Sequence, residues 1–226
     1  MLFIVRKLGL FVLGCTLATA MAWAQSPALV TASASASVPA FVEKLATKKL
    51  LDEVRKGGFV LYMRHGNTDN SRPDAVPKID LNDCSTQRPL SDEGRKVATQ
   101  VGKYLREAKI PIGEVIHSPM CRARESAQLA FAYLGDKLRP EAGLTYSSNL
   151  TTEDKKPVLA MTRLLVSTPV APGTNRVLVA HAPNMADLMG YFVKPEATVV
   201  ILRPLGEGRF EYLASIHPTL WPALLK

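Results

Sequence analysis

The chain is 226 residues long and carries 28 Lys and Arg against 20 Asp and Glu, for a formal net charge of +8; 47% of its residues are hydrophobic. That length allows one ordinary domain with a sizeable core, and that apolar content excludes a disordered or collagen-like chain. Three cysteines with no CxxC or Cys/His ladder exclude both a disulfide scaffold and a structural zinc site, whereas the basic excess fits nucleic acid, an anionic surface or an anionic substrate equally.

Arg6 and Lys7 precede an uncharged stretch, Leu8 to Ala24, that closes on Ala22-Trp23-Ala24. A basic start, a short apolar centre and small residues at the last and third-last positions predict a secretory signal peptide cut after Ala24. A retained anchor ranks second, because the apolar part is short for roughly 30 Å of hydrocarbon. A lipoprotein site at Cys15 ranks third, since the cysteine lies unusually early. Residues 25–38, small and uncharged without periodicity, read as a flexible tether, and residues 39–226 as a single domain.

From Pro39 the spacing of Phe41, Leu45, Leu51 and Val54 predicts an amphipathic helix ended by Gly57-Gly58. Phe59 to Met63 is a continuous apolar run, as a strand buried on both faces of a parallel sheet would be, and Arg64-His65-Gly66 follows at its carboxyl end. Ser91-Asp92-Glu93 caps a helix with the stripe Val97, Val101, Leu105 and Ala108. Ile110 to Ile116 is a second strand. Ser118-Pro119 reads as an N-cap with proline in the first helical position, which puts Arg122 in the first turn of a helix over 119–133. A helix follows over 152–166, then a buried strand over 175–180 that runs into His181. Residues 198–202 and 210–214 form a closing pair of strands about Gly206-Glu207-Gly208. Strands alternating with helices predict a three-layer, doubly wound α/β domain, and no internal repeat is present.

Ligands bind outside the carboxyl ends of strands in such sheets. Arginine beside histidine at one strand end, histidine at another and arginine at a helix start make a pocket able to hold a phosphate through bidentate guanidinium contacts and backbone donors. A neutral imidazole there can attack phosphorus while the cations offset the charge on the transferring group, without a metal or cofactor.

Leu61-Tyr62-Met63-Arg64-His65-Gly66 resembles the RHG signature of the histidine phosphatase superfamily, with its phosphoglycerate mutase-like fold and mostly parallel sheet. Arg88 to Arg95 is similar to that family's "LT-x-x-G" helix start, Ser118 to Ala127 to its second-arginine segment, and Val177 to His181 to the strand carrying its second histidine. The four segments occur in order and span residues 57–215. Carried over, the resemblance implies that His65 is the phosphoryl acceptor and that Arg64, Arg122 and His181 hold the phosphate. Gly66, Asn67 and Arg88 are candidate substrate-binding residues, while His117 and His217 read as structural.

The general acid departs from the better-known branches: Ala182 follows His181 where histidine acid phosphatases place Asp. Mutase-like branches take a Glu from the region after the second arginine, where this chain offers Glu141, Glu153 and Asp154. Asp69, just past the RHG turn, is another candidate donor. Signal cleavage leaves Cys84 and Cys121 as an even pair, bridged in an oxidising compartment or buried as two small hydrophobes.

These readings predict an exported, periplasmic phosphatase acting on a small phosphorylated substrate, with no stable membrane insertion once the signal is removed. The alternative is a catalytically silent module that keeps the pocket. A glycolytic mutase conflicts with export, and nucleic-acid binding with scattered basic residues and 7% aromatics. Loops 67–87 and 139–156 are expected to shape substrate choice; the sequence sets neither that substrate nor an oligomeric state. Cleavage also removes Arg6 and Lys7 and no acidic residue, which lowers +8 to +6.

Overall fold

A computed structural model describes residues 40–226; the signal peptide, the Cys15 site and the 25–38 tether lie outside the described residues. The elements run α1 (Lys48–Val54), β1 (Val60–Arg64), α2 (Asp92–Glu107), β2 (Ile112–His117), α3 (Cys121–Phe131), β3 (Leu138–Pro140), α4 (Thr152–Ser167), β4 (Asn175–Ala180), α5 (Ala182–Met189), β5 (Val199–Gly206), β6 (Arg209–Ile216) and α6 (Trp221–Leu225).

The six strands form one sheet in the order β3-β2-β4-β1-β5-β6. The first four are mutually parallel; β5 runs antiparallel to β1, and β6 antiparallel to β5. Alternation along each strand divides the core into two. Leu61, Met63, Val177 and Val179 pack with α1, α2, α3 and α6, and Val60, Tyr62, Leu178 and Ala180 with α4 and α5. The result is the expected three-layer α/β/α architecture. The chain leaves β1 over one face to reach β2 and β3, then returns over the other to β4, which slots between β2 and β1. Three neighbouring carboxyl ends, those of β2, β4 and β1, therefore meet at one edge.

The structure moves several boundaries. Residues 40–46 are not helical: Ala46 N–H donates to the Ser215 carbonyl at 3.0 Å and Ser215 N–H to the Lys44 carbonyl at 2.8 Å. The edge strand β6 offers unpaired backbone groups there, and pairing with them outweighs the local helical spacing. The helix starts only after Thr47, whose hydroxyl accepts from Leu50 N–H. At the next discrepancy, α3 starts at Cys121, and Ser118 is not its cap. The Cys121 N–H is satisfied from outside, by Gln87 Oε1 at 2.8 Å, which leaves the Ser118 hydroxyl within 2.8 Å of His181 Nε2. By contrast, Ser91 caps α2 through Gly94 N–H as its sequence context indicates.

Candidate active site

His65 follows β1 and His181 follows β4. Because Arg64 is in register with Ala180 on the adjacent parallel strand, the two imidazoles emerge side by side, with ring centroids 5.2 Å apart. Gly66 turns the chain hard against α2: a Cβ on it would lie 2.4 Å from the Gly94 carbonyl, and one on Gly94 would lie 2.0 Å from that of Asn67. Two glycines are therefore required for the site loop to reach the helix N-terminus.

His65 is buried, and its Nδ1 lies 2.7 Å from the Gly66 carbonyl oxygen. A carbonyl only accepts, so Nδ1 carries the proton and Nε2 presents a lone pair. Burial, then the Arg122 guanidinium, hold this imidazole well below the ordinary histidine pKa, and it is neutral at pH 7. His181 is shifted down for the same two reasons in the same order. Its Nε2 pairs with Ser118 Oγ, which also accepts from Met120 N–H at 3.2 Å, while its Nδ1 is buried without a protein partner.

Arg122, fully buried, gives one N–H to Asp74 Oδ1 at 2.9 Å, and its plane lies 4.9 Å from the Tyr146 ring centroid. Arg64 donates to the Val193 carbonyl at 2.8 Å and to Glu196 at 2.5 Å. Arg88 donates to Asn70 Oδ1 at 3.2 Å, and its charge is felt by both imidazoles. Among the described residues seven buried side-chain nitrogen or oxygen atoms lack a protein partner. Five of them are Arg64 Nε, Arg88 Nε, Arg122 Nε, Arg122 Nη2 and His181 Nδ1. Buried donors are almost always paired, so their concentration on four side chains around one histidine marks a place built for an anion.

The structure thus brings Arg64, His65, Arg88, Arg122 and His181 together, with Gly66 against His65, and engages the candidate acids elsewhere. The Gly66 N–H is taken by Ser126 Oγ at 3.0 Å, and the Asn67 carbonyl by Ser91 N–H at 3.0 Å. Asp69 closes its own turn by accepting from the Ser71 N–H and hydroxyl, which lowers its pKa. Glu141 caps a single 3-10 turn through Gly143 N–H, and Glu153 pairs with Lys156 on the solvent face of α4. None of these three carboxylates touches the histidines or arginines of the site.

Besides Glu196 on Arg64, the carboxylate that does touch them is Asp74, which pairs with Arg122 and also accepts from Arg88 N–H at 2.8 Å. It sits in a loop without periodicity, and no local sequence signal marks it. Ser118 and Gln87 are further site residues missed in the sequence reading; Ser118 could have been suspected, being the residue directly after a strand end. Cys84 and Cys121 are bridged by a disulfide, and Arg124 Nη2 lies 3.1 and 3.2 Å from the two sulfurs. His117 is buried with Nδ1 against the Ser118 carbonyl, and His217 pairs with Glu43. No helix among the described residues is long and apolar enough to cross a membrane.

Residues 60–155 match the family model of the histidine phosphatase superfamily, branch 1. No curated protein matches. Similar solved structures include the protein histidine phosphatase SixA complexed with tungstate, 17% identical, covering 71% of this chain and 97% of that one with a TM-score of 0.49. A mycobacterial glucosyl-3-phosphoglycerate phosphatase, complexed with VO3, is 19% identical over 69% of this chain and 97% of its own, with a TM-score of 0.49. An α-ribazole-5'-P phosphatase, described as putative, from Escherichia coli K-12 is 14% identical over 71% and 96%, at 0.46.

Proposed function

We propose, from the premise that this chain belongs to the histidine phosphatase superfamily and is a phosphatase, that it hydrolyses phosphomonoesters through a phosphohistidine on His65 in an exported, oxidising compartment. The observation that carries the reading is the His65 Nδ1–H held on the Gly66 carbonyl, which leaves Nε2 as a neutral nucleophile beside unpaired buried donors.

In the first step the Nε2 lone pair forms a bond to phosphorus as the ester P–O bond breaks and the alkoxide or aryloxide departs. Charge on the transferring oxygens is met by Arg122, Arg64 and Arg88 and by Nδ1–H of His181. Ser118 is a positioning residue: its hydroxyl, donating to His181 Nε2, leaves that ring's proton on Nδ1. Asp74 orients Arg122. In the second step water attacks phosphorus, the P–N bond breaks, its electron pair returns to Nε2, and orthophosphate leaves. The three guanidiniums supply the charge offset that a divalent cation supplies in other phosphoryl-transfer sites, so no metal is needed. The Cys84–Cys121 bridge and the signal-like N-terminus support export to a periplasm.

The test is turnover of p-nitrophenyl phosphate and a small phosphoester panel by the mature protein and by His65→Ala, with and without EDTA. Activity that is lost with His65 and indifferent to EDTA is expected; equal rates for the two proteins would discard the proposal.

A further inference from the structure

A third apolar group lies outside both halves of the core. Val76, Ile79 and Leu81, from the loop after Asp74, face Met120, Tyr146 and Leu150 across a cavity of about 320 Å³. None of the six belongs to either core cluster, and Val76 is 57% exposed. Folding alone gives no reason for two otherwise polar loops to turn these side chains toward each other.

The cavity shares walls with the phosphate pocket. The Tyr146 ring that lines it packs edge-on to His181 at 5.3 Å and under the Arg122 guanidinium at 4.9 Å. Met120, another wall, donates its N–H to the Ser118 hydroxyl that pairs with His181. Asp74, on Arg122, begins the loop that supplies the opposite wall. A phosphoryl group on the arginines would therefore have its ester substituent directed at an apolar slot with an aromatic face.

Leaving-group chemistry narrows the occupant. Two carboxylates touch the arginines: Glu196 accepts from Arg64, and Asp74 accepts two hydrogen bonds on a single oxygen, from Arg122 and from the Arg88 amide. Both carboxylates are committed to holding the guanidiniums of the site, and no other carboxylate among the described residues is paired with them, whereas alkyl phosphates gain roughly 10²–10⁴-fold from a proton donor. An aryloxide leaves without it. Resting on the phosphatase reading, we infer that this cavity is the leaving-group subsite and that it takes an aromatic ring: the substrate class is aryl phosphates.

The test separates binding from turnover by measuring phenylphosphonate, n-hexylphosphonate and methylphosphonate binding to the mature protein by calorimetry. Burying one face of a ring predicts phenylphosphonate binding roughly tenfold or more tighter than methylphosphonate. Ile79→Asp and Leu150→Asp, both on surface loops, are expected to bring that ratio to near one, and Leu205→Asp on the far hairpin to leave it unchanged. A wild-type ratio near one, equal tightening by the hexyl compound, or a ratio untouched by both cavity variants would overturn the inference. If phenyl phosphate and acetyl phosphate both resist hydrolysis, the phosphatase reading falls, while the phosphonate ratio still decides the subsite.

Discussion

Replacing both bridge cysteines, Cys84→Ser with Cys121→Ser, tests how the second-arginine segment is held. The disulfide spans 37 residues, a stretch that contains all of α2 and β2. Closing a loop of that length in the unfolded chain costs entropy worth about 4 kcal/mol at 25 °C, so the double variant should be less stable by that amount. For a domain of this size each kcal/mol moves Tm by about 2–4 °C, which predicts a fall of roughly 8–15 °C. The folded state should change little, because Gln87 still accepts from Cys121 N–H and Asp74 still pairs with Arg122. The loss therefore comes through the unfolded state, and the urea m-value should rise as the freed chain exposes more surface. Urea and thermal unfolding of the variant, beside wild type with and without reductant, read both quantities. A variant within about 1 kcal/mol of wild type at unchanged m would refute the reasoning.

Asp74→Ala leaves the Arg122 charge buried without its partner and should cost about 3–5 kcal/mol by urea unfolding, part of it recovered with inorganic phosphate. Ser118→Ala removes the hydroxyl that sets the His181 tautomer; kcat should fall about 3–10-fold with the pH profile displaced, whereas a merely structural role would leave that profile in place. Both site imidazoles are held below the ordinary value of 6.5 by burial and then by Arg122. The unfolded chain thus binds more protons below pH 6.5, so stability is full above that value and falls as pH drops toward the depressed pKa values. His181→Asn should flatten that slope in Tm against pH, and the acid limb of kcat/KM should lie below pH 6.5. Asp69→Asn, Glu141→Gln and Glu153→Gln should each keep kcat/KM for p-nitrophenyl phosphate within about threefold, since none reaches the site; a hundredfold loss in any of them would make it the proton donor.

Much of this site is written in local pattern. The strand over 175–180 and the capped helix after Ser91 are each encoded by a short apolar run or a cap, and the structure reproduces both. Arg64, His65, Arg122 and His181 stand out because each lies at or just past a strand's end or in a helix's first turn, and the sheet order brings them together. What escaped depends on contacts between distant segments. Asp74 reaches Arg122 across 48 residues, and Gln87 caps α3 across 34. Residues 44–46 abandon a helical spacing because β6 offers them an edge. The helix after His181 was within reach, since Pro183 near its start and Gly190 at its end, with φ of 77°, are ordinary helix punctuation. The four candidate donors, Asp69, Glu141, Glu153 and Asp154, each already serve a turn, a helix cap or an ion pair.

The central claim is that phosphorus passes through a covalent bond to His65. Millisecond acid-free quenching of the mature protein with p-nitrophenyl phosphate, followed by peptide mass spectrometry, observes that bond directly. The account predicts a phosphoryl group on the peptide containing His65, stable to alkali, labile to acid and absent from His65→Ala. Turnover without any such adduct, or an adduct on another residue that survives in His65→Ala, would contradict it.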